Sequence, residues 1–147
     1  PDLLKILAEM GHGDEIVIGD GNFPATSMGQ CVVHYNGNGA NEVLDAILKV
    51  FPLDTFVEAP VTLMKVVPNS IPFDEPPIWD KFRQTIEKHE PGKKIGFEER
   101  FAFYDRSRKA FAIIQTSESA LYACIILKKG VISSNRFKGS GHYQTEE

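Results

Sequence analysis

Short apolar runs alternate along this chain with segments whose apolar residues recur at helical spacing, and that alternation leaves few folds open. Glu15–Gly19 encloses Ile16-Val17-Ile18 and reads as a buried strand; residues 31–35 read as a second, short one. Residues 55–58 and 61–67 are strand-like around Pro60, residues 95–103 are strand-like, and residues 110–116 and 120–127 are apolar β-runs around the turn Ser117-Glu118-Ser119. Helices fall between them. Asp2 can cap a helix whose Leu3, Leu4, Ile6, Leu7 and Met10 form an apolar stripe, stopped by Gly11. Asn41 opens a second, with Val43, Leu44, Ile47, Leu48 and Phe51 inward, broken by Pro52. A proline-rich loop over residues 69–77 leads to Ile78, Trp79, Phe82 and Ile86 at helical spacing, and residues 104–109 form a charged turn or short helix. Strands interspersed with helices predict one three-layer α/β domain with a mostly parallel central sheet flanked by helices. It is expected over residues 1–132, followed by a polar tail, 133–147, to which no function attaches.

Composition excludes several classes of function. A net charge of −4 with scattered basic residues argues against nucleic acid as a partner. No apolar run approaches the length needed to span a membrane. Cys31 and Cys124 lie far apart without CxxC spacing, which predicts two free thiols in a cytoplasmic protein. The chain has no GxGxxG after a strand, no phosphate loop and no G-x-S-x-G elbow. His12, Asp14 and Glu15 could be imagined on a metal, but no second histidine at helical spacing supports them.

The segment GHGDEIVIGDGNFP, residues 11–24, holds the best-placed polar groups. Glycines there allow His12 to be presented at a turn rather than packed in a core. Asp20 stands where the first strand should end. Each feature also has a plain structural explanation. A lone histidine in a capping turn is commonplace, and Asp20 with Asn22 can form a turn by hydrogen-bonding its own backbone.

Longer blocks narrow the reading. GHGDEIVIGDGNFP, FPLDTFVEAPVTLM at 51–64, PPIWDKF, and ERFAFYDRSRKAFAIIQTSESALYACIILKKGV at 99–131 closely resemble, in order, the family of fucose mutarotases and ribose pyranases. The resemblance implies an α/β enzyme that interconverts sugar anomers, with L-fucose the foremost substrate and ribose or galactose as further ones. It also implies a homo-oligomer built as rings, a decamer of pentamers being common, with pockets near subunit contacts. By position, His12 matches a proton-donating histidine, Asp54 a second catalytic carboxylate and Tyr104 a catalytic tyrosine. Asp20, Met64, Arg100 and Tyr122 match residues that bind or line the sugar. Cys124 stands where the family pattern Tyr-x-Asn has asparagine, and contact there is expected mainly from the main chain.

The residue types suit that chemistry. Opening a hemiacetal ring needs a proton on the ring oxygen and removal of one from the anomeric hydroxyl, and closure reverses both. Histidine changes charge near neutrality, and a phenol can donate or relay a proton. Only protons move, so the reaction requires no cofactor. Two other readings remain open on the residues: ribose pyranase activity, and a non-catalytic sugar-binding module. Taken singly, Asp54 reads as a turn residue and Met64 as core. Tyr104 and Tyr122 read as packed rings, and Arg100 as a surface partner of Glu98 or Glu99.

Overall fold

The computed structural model describes residues 2–131. Its elements run α1 (Asp2–Glu9), β1 (Glu15–Gly19), α2 (Ala25–Met28), β2 (Val32–Tyr35), α3 (Ala40–Leu48) and β3 (Val61–Met64), followed by α4 (Ile78–His89), β4 (Ile95–Glu98), α5 (Arg100–Lys109), β5 (Ala112–Thr116) and β6 (Ile125–Lys128). The strands form one sheet in the order β2-β5-β1-β6-β3-β4. β1 and β2 each pair with β5 in parallel, β3 pairs with β4 in parallel, and β6 is antiparallel to both β1 and β3. Five strands therefore point one way and β6 alone runs back.

Successive side chains of a strand face opposite sides of the sheet, and here both sides are covered. Ile16, Ile18, Ala112, Ile114, Ile125 and Leu127 face a core filled by Ile6 and Leu7 of α1, Val43, Leu44 and Ile47 of α3, and Trp79, Phe82 and Ile86 of α4. Val17, Ile113 and Ile126 face the other way, against Phe23, Ala25, Phe103 and Ala110 from α2, α5 and their flanks. Three layers result, as the alternation predicts. Among the described residues, no helix is long and apolar enough to cross a membrane.

Four expected strands need correcting: the run 61–67 is strand only to Met64, the run 120–127 enters β6 only at Ile125 after a turn at 121–122, and two more depart further. Residues 55–58 make an exposed bend, because the Asp54 carboxylate accepts the Phe56 N–H at 3.0 Å and turns the backbone away from any ladder. The strand expected over 95–103 ends at Glu98: Glu99 caps α5 by accepting the Ala102 N–H at 3.2 Å, so Arg100 to Phe103 are helical. The one-turn helix α2 was not expected. The tail 133–147 lies outside the described residues.

The stretch after β6 is packed backbone to backbone. A Cβ on Gly130 would come within 2.5 Å of the Leu53 carbonyl oxygen and 2.8 Å of Asp54 Cα. Gly130→Ala should therefore destabilise the fold by about 1–3 kcal/mol, the usual range for overpacking. Thermal unfolding reads this; an unchanged midpoint would contradict the packing described.

Candidate active site

Where β1 ends, the chain passes directly into Asp20. β3 ends in Met64 at the same edge of the sheet, and β4 runs through Glu98 and Glu99 into Arg100. Because β6 is reversed, its first residues rather than its last arrive there, which brings Tyr122 and Cys124 alongside. Tyr104 follows one turn along α5. These six residues, with Asn22, Phe23, Val67, Ser70 and Leu121, line a single open cavity of about 310 Å³. Ligands of open α/β sheets commonly bind at the carboxyl ends of the strands.

Asp20 is buried and held from several sides. Its Oδ1 accepts the Asn22 N–H at 3.0 Å, its Oδ2 lies 3.8 Å from the Cys124 thiol, and its main-chain carbonyl accepts from Gln115. The turn expected from Asp20 and Asn22 is real and lies within the cavity wall. Burial raises the Asp20 carboxyl above the usual carboxylate range, although the N–H groups of Asn22, Ala123 and Phe23 and the Cys124 thiol act against it. Burial, then the charge of Asp20, pushes the Cys124 thiol well above its ordinary value, so it remains a neutral S–H. Cys124 therefore lines the cavity with its thiol turned to Asp20.

Tyr104 is half-buried, edge-on to Phe23 at 5.9 Å and to Phe101 at 6.4 Å. Burial raises its phenol above 10.0; Cys124, Asp20 and Tyr122 add to this and Arg100 opposes it. The group is thus a proton donor at neutral pH. Arg100 is exposed, with its guanidinium 4.6 Å over the Phe101 ring. The ion pair that its neighbours suggested does not form, because Glu98 pairs with Arg106 and Glu99 caps α5.

Tyr122 is the one backbone outlier in the wall, at φ 58°. Left-handed geometry costs a non-glycine residue roughly 1–2 kcal/mol. The Trp79 indole N–H donates to its carbonyl at 3.0 Å, the Val67 N–H donates to its hydroxyl at 3.1 Å, and the Ser70 hydroxyl lies 2.7 Å from that oxygen. Leaving one buried donor unsatisfied costs about 1–3 kcal/mol, enough to offset the strain. Sequence reasoning took Asn22 only as a turn partner of Asp20 and missed Phe23, Val67, Ser70 and Leu121. For Val67 and Ser70 the signal is the left-handed residue whose hydroxyl they hold, which spacing does not reveal.

His12 and Asp54 stand elsewhere. His12 precedes β1, and the Asp54 N–H bonds Lys128 at the far end of β6, so both occupy the opposite sheet edge. About 17 Å of strand separates the two edges. There His12 Nε2 lies 3.0 Å from Asp54 Oδ1, and its ring packs against exposed Phe56 at 5.0 Å. Burial works to raise Asp54, but the Phe56 N–H, the His12 ring and Lys128 together hold it below 3.8. Asp54 is buried while His12 is exposed. The three side chains weighed as metal ligands are engaged separately: Asp14 accepts the Gly11 N–H, Glu15 pairs with Arg106, and His12 bonds Asp54. A larger cleft of about 710 Å³ near this edge includes Glu9, Glu15, Lys109 and Lys128 but none of the eight predicted site residues.

Fold and cavity define a three-layer α/β protein with a small pocket at the carboxyl edge of its sheet, where a carboxylate, a guanidinium and a phenol stand among apolar side chains. The chain belongs to the RbsD / FucU transport protein family, which it matches over residues 1–132. It is 43% identical over 139 residues to the fucose mutarotase of Homo sapiens, covering 92% of this chain and 90% of that one. The crystal structure of the fucose mutarotase in complex with L-fucose from Streptococcus pneumoniae superposes with a TM-score of 0.84 at 47% identity, over 90% of this chain and 94% of that one. Bacillus subtilis RbsD complexed with D-ribose gives 0.69 at 24% identity, over 90% and 93%, a likeness of fold alone.

Asp20 should titrate above 3.8, and Cys124→Asn, which offers a stronger donor to the carboxylate, should lower that midpoint. A raised carboxyl pKa favours the protonated native state. Its contribution to stability is therefore present in full below the unfolded pKa and is lost as pH rises through the folded one. Carboxyl-carbon NMR titration of both proteins measures this. A wild-type midpoint at or below 3.8 would contradict the burial assigned to Asp20.

Proposed function

We propose that this protein is a mutarotase that opens and recloses the ring of a reducing sugar, L-fucose foremost, to exchange its α- and β-anomers. The observation that carries the reading is the convergence of Asp20, Arg100, Tyr104, Tyr122 and Cys124 on one sugar-sized cavity. Membership of a family whose 47%-identical relative was crystallised with L-fucose supports it. Ribose pyranase activity has weaker support, since the ribose-bound relative shares only 24% identity. A purely sugar-binding module would use Asp20 and Arg100 but would not need His12 and Tyr104 together.

In this reading Asp20 and Arg100 bind sugar hydroxyls, and Met64 and Tyr122 shape the wall. Tyr104, kept neutral, hands its proton to the ring oxygen as the C1–O5 bond breaks. His12 takes the anomeric hydroxyl proton at the ring nitrogen turned away from Asp54 and gives it back on closure, the direction in which it acts as the donor that the resemblance implies, while Tyr104 regains its own. Asp54 stays ionised, fixes the ring and stabilises the imidazolium while His12 holds the proton, as a carboxylate does behind a catalytic histidine. No step calls for a cofactor.

One chain cannot bring His12 to Tyr104, so the reading requires a homo-oligomer in which one subunit's His12–Asp54 pair closes the cavity of the next. Exposed Phe56 and Val57 beside His12, and exposed Phe101 and Leu121 at the cavity rim, supply apolar surface for that contact. A head-to-tail contact whose rotation closes makes a ring, which agrees with the decameric assembly implied by the family resemblance. Two free thiols agree with a cytoplasmic location.

Saturation-transfer NMR with fucose, ribose and galactose tests the reading, with fastest exchange expected for fucose. His12→Ala and Tyr104→Phe should each slow fucose exchange by about 10²–10⁴-fold, the usual contribution of general acid–base groups. Unchanged circular dichroism must accompany the loss. Rates within about twofold of wild type for both variants would refute the proton assignments.

A further inference from the structure

Trp79 is the chain's single tryptophan, sits second in α4 and is 5% exposed. Its ring fills the core between α4 and the sheet, with Phe97 at 5.3 Å, and nothing in the acid–base scheme uses it. Its N–H, however, leaves that core and ends on the Tyr122 carbonyl at 3.0 Å. Resting on the mutarotase reading, we propose that Trp79 is a positioning residue for the sugar pocket, acting through the left-handed backbone of Tyr122.

The geometry gives the route. At φ 58° Tyr122 turns the chain from residues 119–121, of which Ser119 and Leu121 are exposed, into β6. The two residues after it are part of the site: the Ala123 N–H faces the Asp20 carboxylate, and the Cys124 thiol lies 3.8 Å from it. If the Tyr122 peptide swung to ordinary right-handed geometry, the buried indole N–H would lose its acceptor, and the Ala123 N–H would turn with the peptide that carries it. The tyrosine hydroxyl is tied separately, by Val67 and Ser70 on the β3–α4 connection. The Trp79 hydrogen bond therefore fixes the orientation of the main chain on which the binding groups sit. Tyr104 belongs to α5 and is not tied to it. Removing the bond should loosen sugar binding while leaving proton transfer in the bound state nearly unchanged.

One tryptophan makes a clean test possible in the full chain. Biosynthetic replacement by 3-benzothienylalanine keeps the ring shape and removes the N–H, whereas 5-fluorotryptophan keeps both. The benzothienyl protein should show a KM for fucose raised about three- to tenfold, the worth of one hydrogen bond, with kcat within about twofold. The fluoro protein should match wild type. An unchanged KM accompanied by a lower melting temperature would make Trp79 a core residue only and overturn the proposal. So would equal losses in both replacements.

Failure of the underlying mutarotase reading looks different. Wild-type protein that binds fucose without exchanging its anomers refutes the mutarotase, and the same comparison is then read on the fucose dissociation constant. If it binds no fucose, the single indole N–H resonance decides: protection from solvent exchange supports the tether, and rapid exchange overturns it.

Discussion

β6 runs antiparallel between β1 and β3, hydrogen-bonded to both, and the site depends on that reversal. Parallel strands deliver only their last residues to the carboxyl edge of a sheet. A reversed strand at the centre delivers its first, so Asp20, just after β1, and Cys124, just before β6, meet although 104 positions separate them. The same ladder sets the far edge. Lys128, paired with Glu15, anchors the backbone of Asp54, and Asp54 in turn fixes His12. One strand thus organises both ends, with a cavity at one and an imidazole–carboxylate pair at the other.

Burial tunes each end differently. At the pocket, desolvation raises Asp20 and Tyr104 and keeps the Cys124 thiol neutral. At the other edge, hydrogen bonds to Asp54 outweigh the same desolvation and keep it a carboxylate. An ionised acid behind an exposed histidine is suited to act on something outside its own chain. In our account that partner is the pocket of another subunit.

Much of the fold was legible in the sequence. Ile16-Val17-Ile18 between a turn and Gly19 could be little but a strand, and α3 and α4 declared themselves by apolar spacing. The start of α5 was hidden for a physical reason. Only Phe103 and Ser107 of that helix are buried, so it carries almost no apolar stripe, while Ile95, Phe97, Phe101 and Phe103 mimic strand alternation. Residues 55–58 have strand-like side chains, but a side-chain hydrogen bond from Asp54 decides their path. The site residues came from resemblance, and six of the eight line one cavity. That His12 and Asp54 lie at the other edge was not legible, because spacing carries no information on which way β6 runs. Trp79 read as a core residue, which it is. Its N–H acceptor could not be foreseen without the left-handed turn at Tyr122.

The central claim is that acid and base come from different subunits, and mixed assemblies test it most directly. His12→Ala and Tyr104→Phe proteins, each inactive alone, should be unfolded together, refolded at equal concentration and assayed for fucose anomer exchange. A site drawing one group from each of two subunits is then intact in about a quarter of random pairings, so activity should recover to about that fraction of wild type. Refolded wild-type protein with full activity, beside a mixture that recovers none, would contradict the account.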